Sequence, residues 1–234
     1  MNALLNSLKK VFASSIGKKW IVALTGLAFI GFLLGHLIGN LLIYAGPDAI
    51  NEYAVFLHSL GHGAAIWIAR IGLLVCLVLH VVTTILLVKQ NKAARGGGYA
   101  HDKTIQASKA SRTMAISGLI VLVFVIYHIL HFTIGLNSDY YDPEGGYTLA
   151  NGAHNVYAMV VDGFSNVLVS GFYILAMALL CMHLSHGFSS AFQTLGLRTK
   201  KSWPAIKGAG YAFSALIFFG NISIPLSVLF GIVK

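Results

Sequence analysis

Five long apolar runs constrain this chain more than any other feature, because each can cross a lipid bilayer. A membrane-spanning helix needs about 20 apolar residues, and residues 20–44, 64–88, 113–136, 163–192 and 208–233 provide such runs. Apolar and polar residues do not alternate within them as in barrel strands, so each run predicts an α-helix. The expected fold is all-α and polytopic, with residues 1–234 forming a single domain, a bundle of five transmembrane helices. Residues 51–60 predict a short additional surface helix.

The composition excludes other classes of protein. Hydrophobic residues make up 57% of the chain and charged residues 10%, whereas soluble domains are about a quarter charged. This excludes an ordinary soluble domain, a disordered segment and, despite the net charge of +9, a nucleic-acid binder. The first apolar run follows several lysines, but it is longer than the 7–15 residues typical of a signal peptide. It is therefore predicted to be a retained span.

The distribution of charge predicts the orientation in the membrane. Of the 16 Lys and Arg residues, 14 precede the first run or lie between runs two and three or four and five. Six of the seven acidic residues lie in the segments on the opposite side. Because Lys and Arg are enriched in cytoplasmic loops, we expect a multi-pass protein of the cell inner membrane. Its N-terminus would be cytoplasmic and its C-terminus outside.

Histidine lies well inside four of the five apolar runs. An ionisable side chain in a bilayer is energetically unfavourable, so each such histidine is a functional candidate. The simpler alternative is a histidine that hydrogen-bonds a neighbouring helix. The candidates are His36 in the first run, His80 in the second, His128 and His131 in the third, and His183 and His186 in the fourth.

The depths of these histidines fall into two levels. His36 lies 16 residues after Trp20 and His128 lies 16 after Arg112, which is ~24 Å along a helix from the cytoplasmic end. His80 lies nine residues before Lys89 and His183 nine before Phe192, or ~14 Å from the same end. We call His36 and His128 the outer pair, and His80 and His183 the inner pair. Two imidazoles at matched height in a bundle are what bis-histidine ligation of haem requires.

Glycines and further histidines near the candidate ligands allow alternative interpretations. Gly31, Gly35 and Gly39 recur every four residues beside His36, where a flat macrocycle or a neighbouring helix could approach closely. His131 and His186 each follow a candidate ligand by three residues and share its helical face. Either could replace that ligand, bond a haem propionate, or form a hydrogen bond within the bundle.

Four short stretches, in order and on the expected helices, give the chain a family resemblance over residues 18–232. The sequence resembles the cytochrome b subunit of succinate dehydrogenase and fumarate reductase, of the five-helix dihaem type (the b558 family). The matching stretches are Gly35-His36-Leu37-Ile38-Gly39-Asn40, Val78-Leu79-His80, Ser117-Gly118 with Ile126-Tyr127-His128, and His183-Leu184-Ser185-His186-Gly187 with Leu195-Gly196.

The resemblance implies two stacked haems b, one ligated by His36 and His128 and the other by His80 and His183. It also implies the role of a membrane anchor that passes electrons between an iron–sulfur subunit and a membrane quinone, usually menaquinone in such dihaem members. The partners would be a flavoprotein with covalent FAD and a three-cluster iron–sulfur subunit, docked on the cytoplasmic side. Those subunits would carry the succinate chemistry. We expect the basic segments 89–112 and 198–207 to form the docking surface, unless they only set topology and contact anionic lipid.

Arg70 is the one basic residue inside an apolar run. It lies six residues from the outer end of the second run, about 9 Å deep, at a height close to that of the outer pair. A haem propionate is the expected partner of its guanidinium, and snorkelling to the outer headgroups is the alternative. Glu52, His58 and His62 are nearby candidates for an outer quinone site.

Two other functions remain as alternatives. One is a dihaem anchor of another oxidoreductase, such as a hydrogenase or nitrate reductase, although those families place their ligands on different helices. The other is a histidine-lined proton or metal-ion transporter. The core of the five runs contains no carboxylate, and no inverted repeat is evident, which disfavours the transporter.

Overall fold

The computed structural model of the chain describes residue 10 and residues 12–95, 109–136 and 138–234. In this part of the chain the elements are helical, and the only β pairing is an isolated bridge between Thr148 and His154. Five helical segments are long and apolar enough to cross a membrane, which confirms the prediction of five spans. Residues 96–108, which belong to the basic segment 89–112, lie outside the described residues.

Seven α-helices follow one another along the described chain. They are α1 (Ser15–Leu41), α2 (Pro47–Ser59), α3 (Ala64–Arg95), α4 (Lys109–His128), α5 (Val156–Ser165), α6 (Val167–Thr194) and α7 (Trp203–Leu229). Short 3-10 turns at Leu42–Ala45 and Leu60–Gly63 flank α2, and a π-helical segment, Ile129–Ile134, continues α4. The helix predicted over residues 51–60 is confirmed as α2.

The fourth span begins later than predicted. The apolar run from residue 163 was expected to be one helix, but α5 ends at Ser165 and α6 begins at Val167. Asn166 between them has an extended backbone, and its side-chain oxygen accepts from the backbone N–H groups of Leu168 and Val169 at 2.9 and 3.2 Å. Asparagine at an N-cap satisfies the free donors of a new helix. The capping residue Asn166 therefore divides into two helices a run that looks continuous in the hydropathy pattern.

The second and fifth spans also have ends that differ from the predicted ones. At two of these ends the helix extends into polar sequence beyond the apolar run. The second run was expected to end at residue 88, but α3 continues to Arg95 through good helix formers. The fifth run was expected over 208–233, but α7 begins at Trp203, with a proline in its first turn, and ends at Leu229. Proline is favoured in the first turn of a helix, because a backbone N–H at that position would have no hydrogen-bond partner within the helix.

The bundle is held mainly by contacts of α6 with α7, α4 and α1, and of α1 with α3, whereas α3 and α4 touch only slightly. Leu37 of α1 is 1% exposed, and it packs against α7 where that helix carries Gly220. A Cβ atom on Gly220 would lie 2.7 Å from Leu37 Cδ1, so the absence of a side chain permits this close approach. Small residues commonly have this role between membrane helices.

Two short helices, α2 and α5, pack together at one end of the bundle. Asn51 of α2 is 5% exposed, and its amide donates to the Asn155 side chain at 3.1 Å while its oxygen accepts from the Tyr157 N–H at 3.0 Å. Asn155 in turn caps α5 through the Ala158 N–H. We call this the acidic end, because it carries Asp48, Glu52, Asp139, Asp142, Glu144 and Asp162.

Candidate functional site

The two histidine rings of the outer pair lie close together, edge to face, and come from two different helices. His36 of α1 and His128 of α4 have ring centroids 5.8 Å apart, with their planes at 85°. Phe32 stacks on His36 at 5.3 Å, and Phe124 lies 5.9 Å from His128. Each phenylalanine precedes its histidine by one helical turn, so both rings are supported from their own helix.

A buried tyrosine connects His128 with His131. Tyr173 of α6 is 6% exposed, and its hydroxyl lies 3.0 Å from His131 Nδ1 and 3.4 Å from His128 Nδ1. The π-helical segment that begins after His128 changes the register of His131 relative to a regular α-helix. Sequence reasoning missed Tyr173, because a single tyrosine in an apolar run gives no signal of its own.

Each histidine of the inner pair is held by a hydroxyl from a neighbouring helix. His80 Nδ1 of α3 lies 2.9 Å from Thr25 Oγ1 of α1, and His183 Nδ1 of α6 lies 3.2 Å from Ser117 Oγ of α4. The structure therefore brings the rings of the outer pair together, and it bonds each ring of the inner pair to a different helix.

The second histidine of α6 is bonded within its own helix. His186 Nε2 lies 3.0 Å from Ser190 Oγ, one turn further along. The sequence had left open a hydrogen bond from His186 to another helix of the bundle, and this bond lies within α6 instead. It leaves His183 as the α6 histidine whose ring is bonded across the bundle.

The glycine stripe on α1 has two different environments. A Cβ atom on Gly31 or Gly35 would meet nothing within 4 Å, whereas on Gly39 it would lie 2.6 Å from Tyr53 Cε1. Gly39 thus serves helix packing, against α2. Gly31 and Gly35 are exposed and border open space.

The three residues proposed for an outer quinone site, Glu52, His58 and His62, lie near the acidic end, and all three are exposed. His58 Nδ1 bonds the Ala54 carbonyl at 2.8 Å, and His62 has a left-handed backbone, with φ 54°. Arg70, the proposed partner of a haem propionate, is also exposed. Its guanidinium lies 5.2 Å from the centre of the Trp67 ring.

The structure adds two loop residues to this group. Tyr141 and His154 stack with their centroids 4.7 Å apart. Burial and the nearby His58 lower the pKa of His154. Burial raises the pKa of Tyr141, and the nearby Arg70 opposes that rise. The sequence could not place Tyr141 and His154 because both lie in an irregular loop.

A cavity of about 630 Å³ opens at the acidic end, between the π-helical segment, α5 and the start of α6. His131 lines it together with Tyr140, Tyr147 and Asp162. The Tyr140 hydroxyl donates to Asp162 Oδ2 at 3.1 Å. Burial and the Asp162 carboxylate raise the pKa of Tyr140, so this tyrosine stays protonated at neutral pH.

Within the described residues, no three His, Cys, Asp or Glu side chains converge as a site for a bare metal ion. His36 and His128 instead meet as a pair. Comparison with known proteins adds no assignment: no protein-family model, curated protein or solved structure matches the chain.

Proposed function

We propose that this chain is the dihaem cytochrome b anchor of a succinate:quinone oxidoreductase, and that it carries electrons between an iron–sulfur subunit and a membrane quinone. The observation that carries the proposal is the approach of His36 and His128 inside an apolar bundle. The family resemblance supplies the succinate chemistry and the soluble partners, a flavoprotein and an iron–sulfur subunit on the cytoplasmic side.

The spacing of the outer pair suits a shared metal. With imidazole nitrogens about 2 Å from a metal and about 1 Å from their own ring centre, two rings on opposite sides of one iron have centroids roughly 6 Å apart. The centroids of His36 and His128 are 5.8 Å apart.

The chain's own residues would fix and tune the cofactors. Haem supplies one-electron transfer, with a potential set by axial ligands, hydrogen bonds and burial. His36 and His128 would hold the outer haem, and His80 and His183 the inner one. The hydroxyl groups of Thr25, Ser117 and Tyr173 orient three of these four rings, and apolar helices exclude water around them.

A quinone, with menaquinone as the candidate, would exchange electrons at the acidic end. Glu52, His58 and His62 remain the proposed contacts, and the structure supports adding His154 because His58 lies near it. These side chains are polar and close to the aqueous surface, which suits the proton exchange that accompanies quinone chemistry.

The haem content of the purified chain tests the proposal. We expect a reduced-minus-oxidised spectrum of b type and two haems per chain. Replacing His36 or His128 by alanine should remove the outer haem, and replacing His80 or His183 should remove the inner haem. His186→Ala is the matched control for His183, because His186 bonds within its own helix, and it should retain both haems.

Spectra without haem would contradict the proposal and favour a histidine-lined transporter. A second measurement separates the possible partners. In native membranes, succinate should reduce both haems, and the flavoprotein and iron–sulfur subunits should copurify with this chain. Two haems that succinate does not reduce would instead indicate the anchor of another oxidoreductase.

A further inference from the structure

Helices α1 and α4 carry the same short pattern at the same spacing. Thr25-Gly26 precedes His36 by 11 residues, and Ser117-Gly118 precedes His128 by 11 residues. Eleven residues are about three helical turns, or roughly 16 Å, so the hydroxyl and the histidine lie on nearly the same face. Each of these helices therefore presents a histidine at the outer level and a hydroxyl–glycine pair at the inner level.

The hydrogen bonds of the two hydroxyls determine which atom donates. Thr25 Oγ1 donates its only proton to a carbonyl of its own helix, that of Ile21 at 2.7 Å. It can therefore only accept from His80 Nδ1, 2.9 Å away. An acceptor there requires a proton on Nδ1, and the lone pair of a neutral imidazole is then on Nε2.

The same reasoning applies to the second hydroxyl. Ser117 Oγ donates to the Met114 carbonyl at 3.2 Å, so it accepts from His183 Nδ1 at 3.2 Å. His183 is then also protonated on Nδ1, with its Nε2 lone pair free. Two hydroxyls from two different helices thus select the same tautomer in the two histidines of the inner pair.

The glycine after each hydroxyl allows the ring to approach the helix. A Cβ atom on Gly118 would lie 3.2 Å from His183 Cε1, which is tighter than ordinary contact. On Gly26 it would lie 3.5 Å from His80 Cε1, an ordinary contact. The requirement for glycine is therefore stronger on α4 than on α1.

We propose that Thr25 and Ser117 are positioning residues that hold His80 and His183 in the tautomer whose Nε2 binds the inner haem iron. Outer partners of this kind orient ligating histidines and set their basicity. The role of the iron rests on the proposed function, whereas the tautomer rests on each hydroxyl giving its proton to a carbonyl of its own helix. Helices α1 and α4 would each supply one ligand to the outer haem and fix one ligand of the inner haem.

Thr25→Val tests the proposal, because valine keeps the shape of threonine and removes the hydroxyl. We expect a shift in the inner-haem midpoint potential and in its low-spin electron paramagnetic resonance signal, with the outer haem unchanged. Thr25→Ser should restore both signals. Ser117→Ala and Ser117→Thr form the equivalent pair on α4. Thr84→Val is the matched control, because the Thr84 hydroxyl bonds the His80 backbone carbonyl and not the ring.

The haem-free chain provides a separate readout. With isotope-labelled histidine, NMR should show His80 protonated on Nδ1 in the parent chain and a mixture of tautomers in Thr25→Val. An unchanged tautomer in that variant, or an inner haem indistinguishable from the parent's, would overturn the inference. A chain with the expected tautomers but without haem would overturn the proposed function and leave the hydrogen-bond assignment standing.

Discussion

At the scale of single residues, Tyr173 links the outer pair to the cavity at the acidic end. Its hydroxyl has one proton, so it can donate to either His128 or His131 but must accept from the other. Its ring packs edge-on against Phe124 and Phe164. The position of the hydroxyl between two imidazoles is therefore fixed by packing as well as by hydrogen bonds.

Tyr173→Phe removes the hydroxyl and keeps the ring. Two imidazole nitrogens would lose their partner, and an unsatisfied buried group costs about 1–3 kcal/mol. We expect a lower free energy of unfolding in detergent and a shifted outer-haem potential. Tyr211→Phe is the control, because Tyr211 is 58% exposed and its loss should change neither quantity. Equal effects of the two substitutions would contradict this role for Tyr173.

Arg70 provides a second test at this scale. If its guanidinium binds a haem propionate, Arg70→Leu should shift the outer-haem potential or lower the occupancy of that haem, because a favourable charge pair is lost. Potentiometric titration of the haems measures both. Arg198→Leu is the control, since Arg198 lies over Trp203 at the opposite end of the bundle. An unchanged outer haem with normal quinone turnover would leave Arg70 with its contact to Trp67 alone.

At the scale of helices, the short α5 is seated against the π-helical segment through a glycine. A Cβ atom on Gly163 would lie 2.6 and 2.8 Å from two ring carbons of Phe132, and 3.2 Å from the Tyr140 hydroxyl. Phe132 in turn lies 4.0 Å, centroid to centroid, from His131. The close contact of α5 with Phe132 therefore helps to fix the position of His131. It also helps to fix Tyr140 in the wall of the cavity.

Gly163→Ala is expected to destabilise the protein. Overpacking a well-filled contact costs about 1–3 kcal/mol, since the Phe132 ring must move. Gly171→Ala is the matched control in α6, because nothing lies within 4 Å of its added methyl group and alanine has the higher helix propensity. Thermal unfolding in the same detergent compares them. A melting temperature of Gly163→Ala as high as that of Gly171→Ala would show that this contact is not tight.

At the scale of the whole molecule, the two ends of the bundle differ in charge. Lys200 and Lys201 are exposed between α6 and α7, and Lys207 is exposed near the start of α7. All three lie on the side that the positive-inside rule assigns to the cytoplasm. Across the bundle, the acidic end carries the clusters around His154 and Tyr140. This separation suits an anchor that meets soluble subunits at one end and quinone at the other.

Cross-linking tests the docking surface. With a lysine-reactive reagent, we expect links from Lys200, Lys201 and Lys207 to the iron–sulfur subunit of the purified complex. Lys234, at the far end of the last span, is the internal control and should form none. Links from Lys234, with none from the segment between α6 and α7, would reverse the predicted orientation of the complex.

The sequence by itself determined the five spans and the short helix α2. In lipid, every backbone polar group must be paired within its own helix, so a long apolar run is sufficient evidence for a span. Local signals also place several helix ends, such as the cap at Asn166, but the fourth run was predicted to begin before it. The sequence is apolar on both sides of Asn166, so the hydropathy pattern gave no sign of a helix boundary there.

Only the tertiary structure decided which side chains meet. The spans are apolar on most of their circumference, so no polar stripe fixes the rotation of a helix about its axis. Depth along a helix could match His36 with His128 in height, but not bring their rings together or select Thr25, Ser117 and Tyr173 as partners. Those contacts depend on the close approach of helices at glycines and on hydrogen bonds between helices. Both are fixed only when the helices pack into the bundle.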